Sequence, residues 1–127
     1  MHDSTTKNWW VKVKDTNVGY YPATLFSDMA SSANKGGWAG LTFTTDGRPS
    51  PPMGSGLYPD QIDPSRVCCM RQITYKADPN GPYLGPGDNI GESYSDCPRY
   101  YNMKFVGYDN NLGYFLLFGG PGGNCDN

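Results

Sequence analysis

Short runs of alternating apolar and polar residues, with the two-residue period of β-strands, recur along this chain. In the first run, residues 8–14, Val11 and Val13 would face one way, opposite two lysines. Further runs rich in aromatic, aliphatic and β-branched residues also predict strands. They cover residues 38–45, 66–76, 100–108 and 112–118. Asp-Gly and Asp-Asn-Asn turn sequences follow two of these runs, so the pattern predicts an antiparallel, all-β chain.

A single short helix is predicted after Pro22, which suits a first helical position because that position needs no N–H donor. An apolar stripe of Leu25, Phe26 and Met29 follows at helical spacing. The Gly-Gly pair at residues 36–37 would end the helix, since glycine is a poor helix former.

The composition describes one folded domain rather than a disordered chain. Gly (17) and Pro (11) are abundant, but 10 Tyr, 5 Phe and 3 Trp supply the aromatic content that disordered chains lack. Long Gly/Pro-rich loops are predicted at residues 48–64 and 77–95, and the second is longer than a compact domain needs unless it is functional. We predict a single domain over residues 1–127.

Charge and hydropathy argue against two classes of partner. The net charge is −2 and the isoelectric point is near 5.1, whereas a protein that binds nucleic acid needs a basic face. No apolar run approaches the roughly 20 residues of a membrane span. The first residues are polar, so secretion would require a leader that was removed or lies outside this sequence. We therefore predict neither nucleic-acid nor membrane binding.

Four cysteines are present, and their spacing does not fit a zinc site because no C-x-x-C pair occurs. An even number in a Gly/Pro-rich chain favours disulfides and an oxidising compartment. A bond between Cys97 and Cys125 would close a loop of about 28 residues, worth roughly 3–4 kcal/mol in the chain-entropy model. Adjacent residues on a strand point to opposite faces. Cys68 and Cys69 would therefore be free thiols, or one would form an intermolecular bridge.

Few residues could carry catalysis. His2 is the only histidine and lies in the terminal segment, which argues against Ser–His, Cys–His and zinc sites. Paired-carboxylate chemistry needs two acids with different pKa values. Glu92 is the only glutamate, and most aspartates lie in turn sequences. The sequence therefore predicts no complete catalytic site, no metal and no cofactor.

Several aromatic residues occur as adjacent pairs, so on a strand one member would face the core and the other the opposite side. They are Trp9 and Trp10, Tyr20 and Tyr21, and Tyr100 and Tyr101, with Trp38 alone. If both sheet faces are covered, all of them are core residues. If one face is open, its aromatic side chains form a surface that could stack against sugar rings, prolines or a partner chain.

Six motifs occur in an order that resembles a known family. They are N-W-W-V at 8–11, G-Y-Y-P-A-T-L-F at 19–26, W-A-G-L at 38–41, M-G-S-G-L-Y-P at 53–59, C-P-R-Y-Y at 97–101 and G-Y-F-L-L-F-G-G-P-G-G-N-C at 113–125. Together they resemble the second half of a neprosin domain. The resemblance covers nearly the whole chain, from about residue 8 to residue 125.

The resemblance implies a fold and an activity. Neprosin domains are antiparallel β-sandwiches of two stacked sheets, and the characterised members are secreted glutamic peptidases that cleave beside proline at acidic pH. They use two glutamates, one from each half of the domain. Family members also carry a disulfide that matches Cys97–Cys125. An extracellular sandwich with this disulfide is therefore implied here.

Departures from the family pattern bear on activity. The family's second catalytic glutamate closes a W-G-G-E motif, and Leu41 stands at that position. A leucine side chain cannot exchange a proton, which excludes acid–base chemistry there. Leu57 replaces a histidine usual in the fourth motif, and the family's first half, with the other glutamate, would precede this chain. Asp46 and Glu92 are the nearest substitute carboxylates, and neither is at the motif position.

Three hypotheses follow. The first is a non-catalytic, neprosin-like extracellular module that acts in binding or self-assembly, because half a sandwich leaves strand edges that other copies could complete. The second is the C-terminal half of a secreted glutamic peptidase that needs a separate first-half chain. The third is a carbohydrate-binding module. The expected partners are further copies in an oligomer or filament, a first-half chain, and a glycan or Pro-rich ligand.

Overall fold

Antiparallel β-structure is present in both compact units of this chain. The computed structural model describes residues 1–29, 31–60, 63–78, 80–87 and 95–125. One unit comprises Met1–Trp38 with Asp78–Gly81, and the other comprises Ala39–Ala77 with Pro82–Asn127. The described residues contain five strands and one 3₁₀ turn, which confirms the predicted all-β class and antiparallel pairing. The stacking of two sheets into a sandwich stays a prediction.

The first unit is built around a β-hairpin. Strand β1 (Trp9–Val13) pairs antiparallel with β2 (Thr16–Tyr21), and β1 confirms the first predicted strand. Lys14 adopts a φ of 52° in the two-residue turn, as tight hairpin turns require. The sequence pattern does not predict β2, because Asn17 and Gly19 are poor strand formers. Pairing with β1 stabilises a strand that its own sequence does not favour.

The predicted helix is wrong, since residues 22–29 contain only a 3₁₀ turn, Ala23–Leu25, and no other helical structure occurs in the described part of the chain. Phe26 returns to extended backbone, with a φ of −131° and a ψ of 93°. Leu25 is 64% exposed, so the first residue of the apolar stripe is not packed, whereas Phe26 and Met29 are half-buried. Short helices are marginal without packing of the whole stripe. The turn is instead held by the N–H of Ala23, which donates to Asn8 Oδ1 at 3.1 Å.

The second unit holds a three-stranded antiparallel sheet. Its strands are β3 (Cys68–Met70), β4 (Asn102–Asp109) and β5 (Gly113–Gly119), in the order β3-β5-β4. β4 and β5 confirm the two C-terminal predicted strands, with small shifts at their ends. The Asp109 carboxylate forms the turn between them, because it accepts N–H bonds from Asn111 at 2.8 Å and Leu112 at 3.0 Å.

The strand predicted at residues 66–76 is regular over only part of its length. Its ladder ends at Met70, and Gln72 has a left-handed φ of 53°, which most side chains avoid. Pairing resumes at Gln72 and Ile73, whose N–H groups donate to the carbonyls of Leu112 at 3.0 Å and Tyr114 at 3.1 Å. The predicted strand is therefore in the right place but too long.

One face of this sheet carries the hydrophobic core of the second unit. Val67, Phe115 and Leu117 are buried there and pack against the partly buried Cys69 and Val106. Leu117 lies on the central strand and is fully buried. Burial of such a side chain is worth roughly 1.5–3 kcal/mol. The core therefore depends on β5, which is paired on both sides.

The strand predicted at residues 38–45 is wrong, because none of these residues belongs to a strand. The turn predicted after it is confirmed. The N–H of Arg48 donates to the carbonyl of Thr45 at 3.1 Å, and Gly47 has a φ of 76°. A ladder requires a neighbouring strand, and none of the described residues pairs with this segment. Residues 38–45 therefore have the sequence pattern of a strand but no main-chain pairing with another described strand.

Candidate functional site

Residues 39–45 of the second unit, which we name the open segment, expose large apolar side chains. Leu41 and Phe43 are 80% and 87% exposed. Gly40, which precedes Leu41, and Thr42, which lies between Leu41 and Phe43, are half-buried. This is the alternation of a strand that has one face covered and one face in solvent. The open segment is therefore strand-like in its side chains, although it belongs to no sheet.

Gly40 holds the inner face of the open segment close to the sheet. A Cβ atom at this position would lie 2.7 Å from Met53 Sδ and 3.0 Å from a ring carbon of Phe118. A larger residue would therefore force these side chains to move. Neighbouring residues of an extended chain point to opposite sides, so the contact at Gly40 leaves Leu41 directed outward.

Up to Thr44, the main chain of the open segment has no backbone partner within the described part of the chain. Among the residues that the structure describes, no backbone–backbone hydrogen bond involves residues 39–44. Pairing begins further along, where Ser50 exchanges N–H···O bonds with Gly123 at 2.9 and 3.0 Å, and Met53 does so with Gly120 at 3.0 and 3.3 Å. Unpaired extended backbone is a template for the addition of another strand.

A shallow groove lies beside the C-terminal half of the open segment. Its lining residues are Phe43, Thr44, Thr45, Arg48, Pro49 and Pro51. The Thr44 hydroxyl donates to the carbonyl of Pro49 at 3.3 Å, which orders the groove wall. The groove combines an exposed aromatic ring with prolines and one cationic side chain, and it is open rather than enclosed.

The glycine-rich loop at residues 53–59 covers the face of the sheet opposite the core. Gly54 has a φ of 63°, and a Cβ there would lie 2.7 Å from Cys68 Cβ. The Tyr58 hydroxyl donates to the carbonyl of Arg99 at 2.7 Å. Leu57 is 38% exposed and lines a surface depression. The other lining residues are Gly56, Tyr58, Asp60 and Pro121.

The disulfide Cys97–Cys125 closes the glycine-rich end of the second unit. The two Cα atoms are 5.5 Å apart, near the most common separation for disulfides. Gly120 and Gly123 pack against the carbonyl and ring of Tyr100, where a Cβ would not fit. This pairing is the one that the family resemblance predicts.

A comparison with protein families matches residues 1–121 to the family model described as Neprosin. This chain belongs to the neprosin family. The match covers almost the whole sequence and confirms the resemblance carried by the six ordered motifs. No solved structure matches the chain.

Leu41, which the resemblance places at the neprosin glutamate position, is exposed. Asp46, one of the two substitute carboxylates, is exposed in the turn that follows the open segment. Glu92, the other, lies outside the described residues. The motif position therefore presents an apolar surface. Phe43 is a candidate that the sequence analysis did not single out, although its place two residues after Leu41 in an alternating run could have indicated it.

Among the described residues, the two acidic side chains with shifted pKa values, Asp3 and Asp63, lie in turns. The hydroxyl of Thr6 and then the N–H of Thr5 lower the pKa of Asp3 below its ordinary value of 3.8. The hydroxyl and N–H of Ser65 do the same for Asp63. Hydrogen bonds to a carboxylate stabilise its charged form. A carboxylic general acid needs the opposite shift, so these two groups are suited to turn formation.

The aromatic residues of the β1–β2 hairpin form two cross-strand pairs on opposite faces. Trp10 lies opposite Tyr20, with ring centroids 4.9 Å apart. Trp9 lies opposite Tyr21, and its indole N–H donates to the carbonyl of Met29 at 2.9 Å. Tyr20 and Tyr21 are 51% and 53% exposed. Both faces of the hairpin therefore present tyrosine ring surface to solvent.

The remaining predicted aromatic residues are more buried. Tyr101 is 7% exposed, and its hydroxyl donates to the carbonyl of Pro51 at 2.7 Å. Tyr101 therefore packs inside the second unit. Tyr100 and Trp38 are half-buried, and Trp38 belongs to the first unit.

Cys68 and Cys69 are half-buried, and neither forms a disulfide in this chain. Cys69 packs against the core cluster, whereas Cys68 lies beneath Gly54 on the other face of the sheet. These opposite orientations follow from the alternation of side chains along β3.

Metal-ligating residues do not cluster in the described part of this neprosin chain. No three His, Cys, Asp or Glu side chains within it come together as a metal site. The helical structure in the same residues is also too short and too polar to span a bilayer.

Proposed function

We propose that this chain is a non-catalytic neprosin-family module that binds an extended polypeptide by strand addition along the open segment. The exposure of Leu41 (80%) and Phe43 (87%) on a segment with unpaired main chain carries the proposal. In strand addition, main-chain hydrogen bonds supply affinity, and alternate side chains supply specificity. The open segment offers both in its described residues.

The same position argues against proteolysis by this chain alone. Acid–base catalysis requires a group that exchanges a proton within hydrogen-bond reach of the substrate. Leu41 has no such group at the family's glutamate position. Asp46 belongs to an Asp-Gly turn, a context in which aspartate serves backbone geometry. An apolar residue at the motif position fits contact with a bound chain better than cleavage of it.

Burial of two large side chains would drive the association. Covering Leu41 and Phe43 is worth roughly 1.5–3 kcal/mol each when the burial is complete. Each new main-chain hydrogen bond adds about 0.5–1.5 kcal/mol net. The loss of translational and rotational freedom opposes these gains by at least ~4 kcal/mol. We therefore expect an affinity that depends strongly on both side chains.

The proposal includes an extracellular location. The Cys97–Cys125 disulfide supports it, because structural disulfides persist in oxidising compartments and are rare in the cytosol. The expected result is recovery of the chain outside the cell with this disulfide intact. A cytosolic pool with both cysteines reduced would contradict it.

Fluorescence anisotropy with a labelled peptide tests strand addition. The probe is a proline-free octapeptide of alternating valine and threonine, which favours extended backbone. We expect saturable binding to the wild-type chain and at least a tenfold weaker Kd for Leu41→Lys, because the contact would bury an unpaired charge. Val18→Lys is the matched control. Val18 is 58% exposed in the first unit, and its replacement should leave binding unchanged.

Peptidase assays on the same preparations separate binding from cleavage. Proline-containing peptides incubated at acidic pH should remain intact. Cleavage that is lost on substitution of a residue in this chain would refute the non-catalytic proposal. Equal peptide binding by the wild type and Leu41→Lys would refute strand addition at the open segment. Cleavage that appears only with an added neprosin first-half chain would favour the split peptidase.

A second candidate function is carbohydrate binding by the hairpin of the first unit. The observation in its favour is the exposed ring surface of Tyr20 and Tyr21 beside Trp9 and Trp10. Rings of this kind can stack against the apolar faces of sugars or prolines. A glycan array with the wild type and Tyr20→Ala tests it, with Tyr108→Ala as an exposed control from the other unit. No binding to any plant or microbial glycan would contradict it.

A further inference from the structure

We propose that the strand which pairs with the open segment is the same segment of a second copy of this chain. The two segments run antiparallel and are centred on Leu41, so that the pair has two-fold symmetry. This inference rests on the proposed strand addition and identifies the partner strand. Three properties of the segment favour a copy of itself, namely its flanking charges, its single exposed face and the sizes of its exposed side chains.

The flanking charges select the antiparallel orientation. Residues 36–45 are uncharged, with Lys35 before them and Asp46 after them. In an antiparallel pair, the lysine of each copy approaches the aspartate of the other. In a parallel pair, like charges would lie side by side, which is destabilising. Opposite charges at the two ends of a neutral segment therefore suit an antiparallel pair of identical chains.

The exposed face restricts the register. Residues directly opposite each other in an antiparallel pair lie on the same face of the sheet, so exposed residues must oppose exposed residues. A pair centred on Leu41 meets this condition, because Leu41 then opposes its own copy and Ala39 opposes Phe43. A small side chain lies beside a large one at each end. Three residues from each copy form one continuous apolar surface.

The positions of Lys35 and Asp46 then distinguish among the registers in which exposed residues oppose exposed residues. With the centre at Leu41, Asp46 of one copy lies opposite Gly36 of the other, one residue from Lys35. Moving the centre to Phe43 or to Ala39 keeps the face condition but separates the two charges by five or three positions. A register centred on Gly40 also meets both conditions, but it places Phe43 opposite Gly37, outside the open segment. The register centred on Leu41 meets both conditions and also pairs Leu41 and Phe43 within the open segment. A two-fold pair is closed, so the expected assembly is a dimer.

Cysteine cross-linking in the full chain tests this register. In the proposed pair, the two Cα atoms at the centre are roughly 4.5–5.5 Å apart, within the range of about 4.4–6.8 Å that a disulfide spans. Leu41→Cys is therefore expected to give a covalent dimer under mild oxidation. Phe43→Cys is the matched control, because Phe43 is equally exposed. Its two copies would be roughly 14 Å apart at about 3.4 Å per residue.

Light scattering of the unmodified chain gives an independent readout. We expect a wild-type dimer whose midpoint concentration rises at least tenfold in Leu41→Lys, since two ammonium groups would then lie directly opposite each other. Peptide mapping should show that the introduced thiols, and not Cys68 or Cys69, form the new disulfide. A wild-type monomer at all concentrations would overturn the proposal. So would Phe43→Cys cross-linking as readily as Leu41→Cys.

The two proposals fail in different ways. A monomeric wild type that still binds the valine–threonine peptide through Leu41 would overturn the self-pairing and leave the proposed function intact. A chain whose peptide binding and oligomeric state are both unchanged by Leu41→Lys would overturn both proposals. Below the dimer midpoint, the thermal transition of Leu41→Lys should match that of the wild type, since Leu41 is 80% exposed within its own chain.

Discussion

The central strand β5 lies between two neighbours, whereas the open segment of the same unit has no strand partner among the described residues. Both sequences are rich in residues that favour strands. On β5, Leu117 is fully buried, while Leu41 on the open segment is 80% exposed. Strand-forming side chains alone therefore do not make a sheet, because a neighbouring strand must supply the main-chain pairing.

The outer edge of β4 provides a second contrast with the open segment. Its ladder is interrupted between Phe105 and Gly107, where Gly107 has a φ of 106°, and Lys104 is exposed nearby. Bulges and edge lysines are devices that discourage strand addition. The open segment contains no charge and no proline. The outer edge of β4 is therefore protected against strand addition, whereas the open segment is not.

The largest expected contrast comes from truncating one leucine in each region. Leu117→Ala should lower the free energy of unfolding by about 2–5 kcal/mol, because it removes buried methyl groups and leaves a cavity. Leu41→Ala should change it by less than about 0.5 kcal/mol, as expected for an exposed site. Urea denaturation of dilute protein, below the dimer midpoint, measures both. Similar losses would show that the open segment is part of the core.

Removal of the disulfide should separate stability from binding. Replacing both Cys97 and Cys125 by serine should lower the free energy of unfolding by about 3 kcal/mol, since the bond restricts the unfolded chain. Peptide binding at the open segment should persist at temperatures where the variant is folded. Denaturation and anisotropy on one preparation check both parts. Loss of binding in the folded variant would show that the disulfide shapes the open segment.

A single buried hydroxyl should give a smaller effect on the second unit. Tyr101→Phe removes the hydrogen bond to the carbonyl of Pro51 and should lower the free energy of unfolding by about 0.5–1.5 kcal/mol. Tyr20→Phe is the matched control, because Tyr20 is 51% exposed in the first unit, and it should be nearly neutral. Thermal or urea melts measure both. Equal effects would contradict the assignment of Tyr101 to the interior.

The smallest expected effect is a pH dependence from the turn at Asp63. The Ser65 hydroxyl and N–H hold the pKa of Asp63 below 3.8 in the folded chain. Its stabilisation is therefore fully present above pH 3.8 and is lost as the pH falls through the lower folded value. Asp63→Asn should flatten the stability profile only in this acidic range. A change in stability that Asp63→Asn causes only near neutral pH would contradict the assignment of the acidic pH dependence to Asp63.

Much of the second unit was predictable from local sequence. β4 alternates and β5 is a continuous apolar run, as expected of an edge and a central strand, and the aspartate between them forms the turn itself, so pattern and turn chemistry agree. The strand β2 was not predictable in this way, because Asn17 and Gly19 disfavour strands and pairing with β1 overrides that preference. The helix prediction failed for the opposite reason, since Leu25 has helical spacing but is 64% exposed and adds no packing to the turn.

The candidate site was predictable only in part. The motif comparison singled out Leu41, because the resemblance predicts that it stands at the family's glutamate position. It could not identify Phe43, whose role depends on the absence of a neighbouring strand. The sequence also could not show which of the adjacent aromatic residues are buried and which are exposed. Tyr101 is buried by a hydroxyl–carbonyl contact 50 residues away, whereas Tyr20 and Tyr21 lie on a hairpin exposed on both faces.

Amide hydrogen exchange of residues 39–45, followed as the protein concentration rises, tests most directly whether the open segment is a strand that lacks a partner in its own chain. We expect rapid exchange in dilute solution and protection that increases with concentration, while the amides of β5 stay protected throughout. Protection of the open segment at every dilution would contradict this, because the segment would then be paired within its own chain.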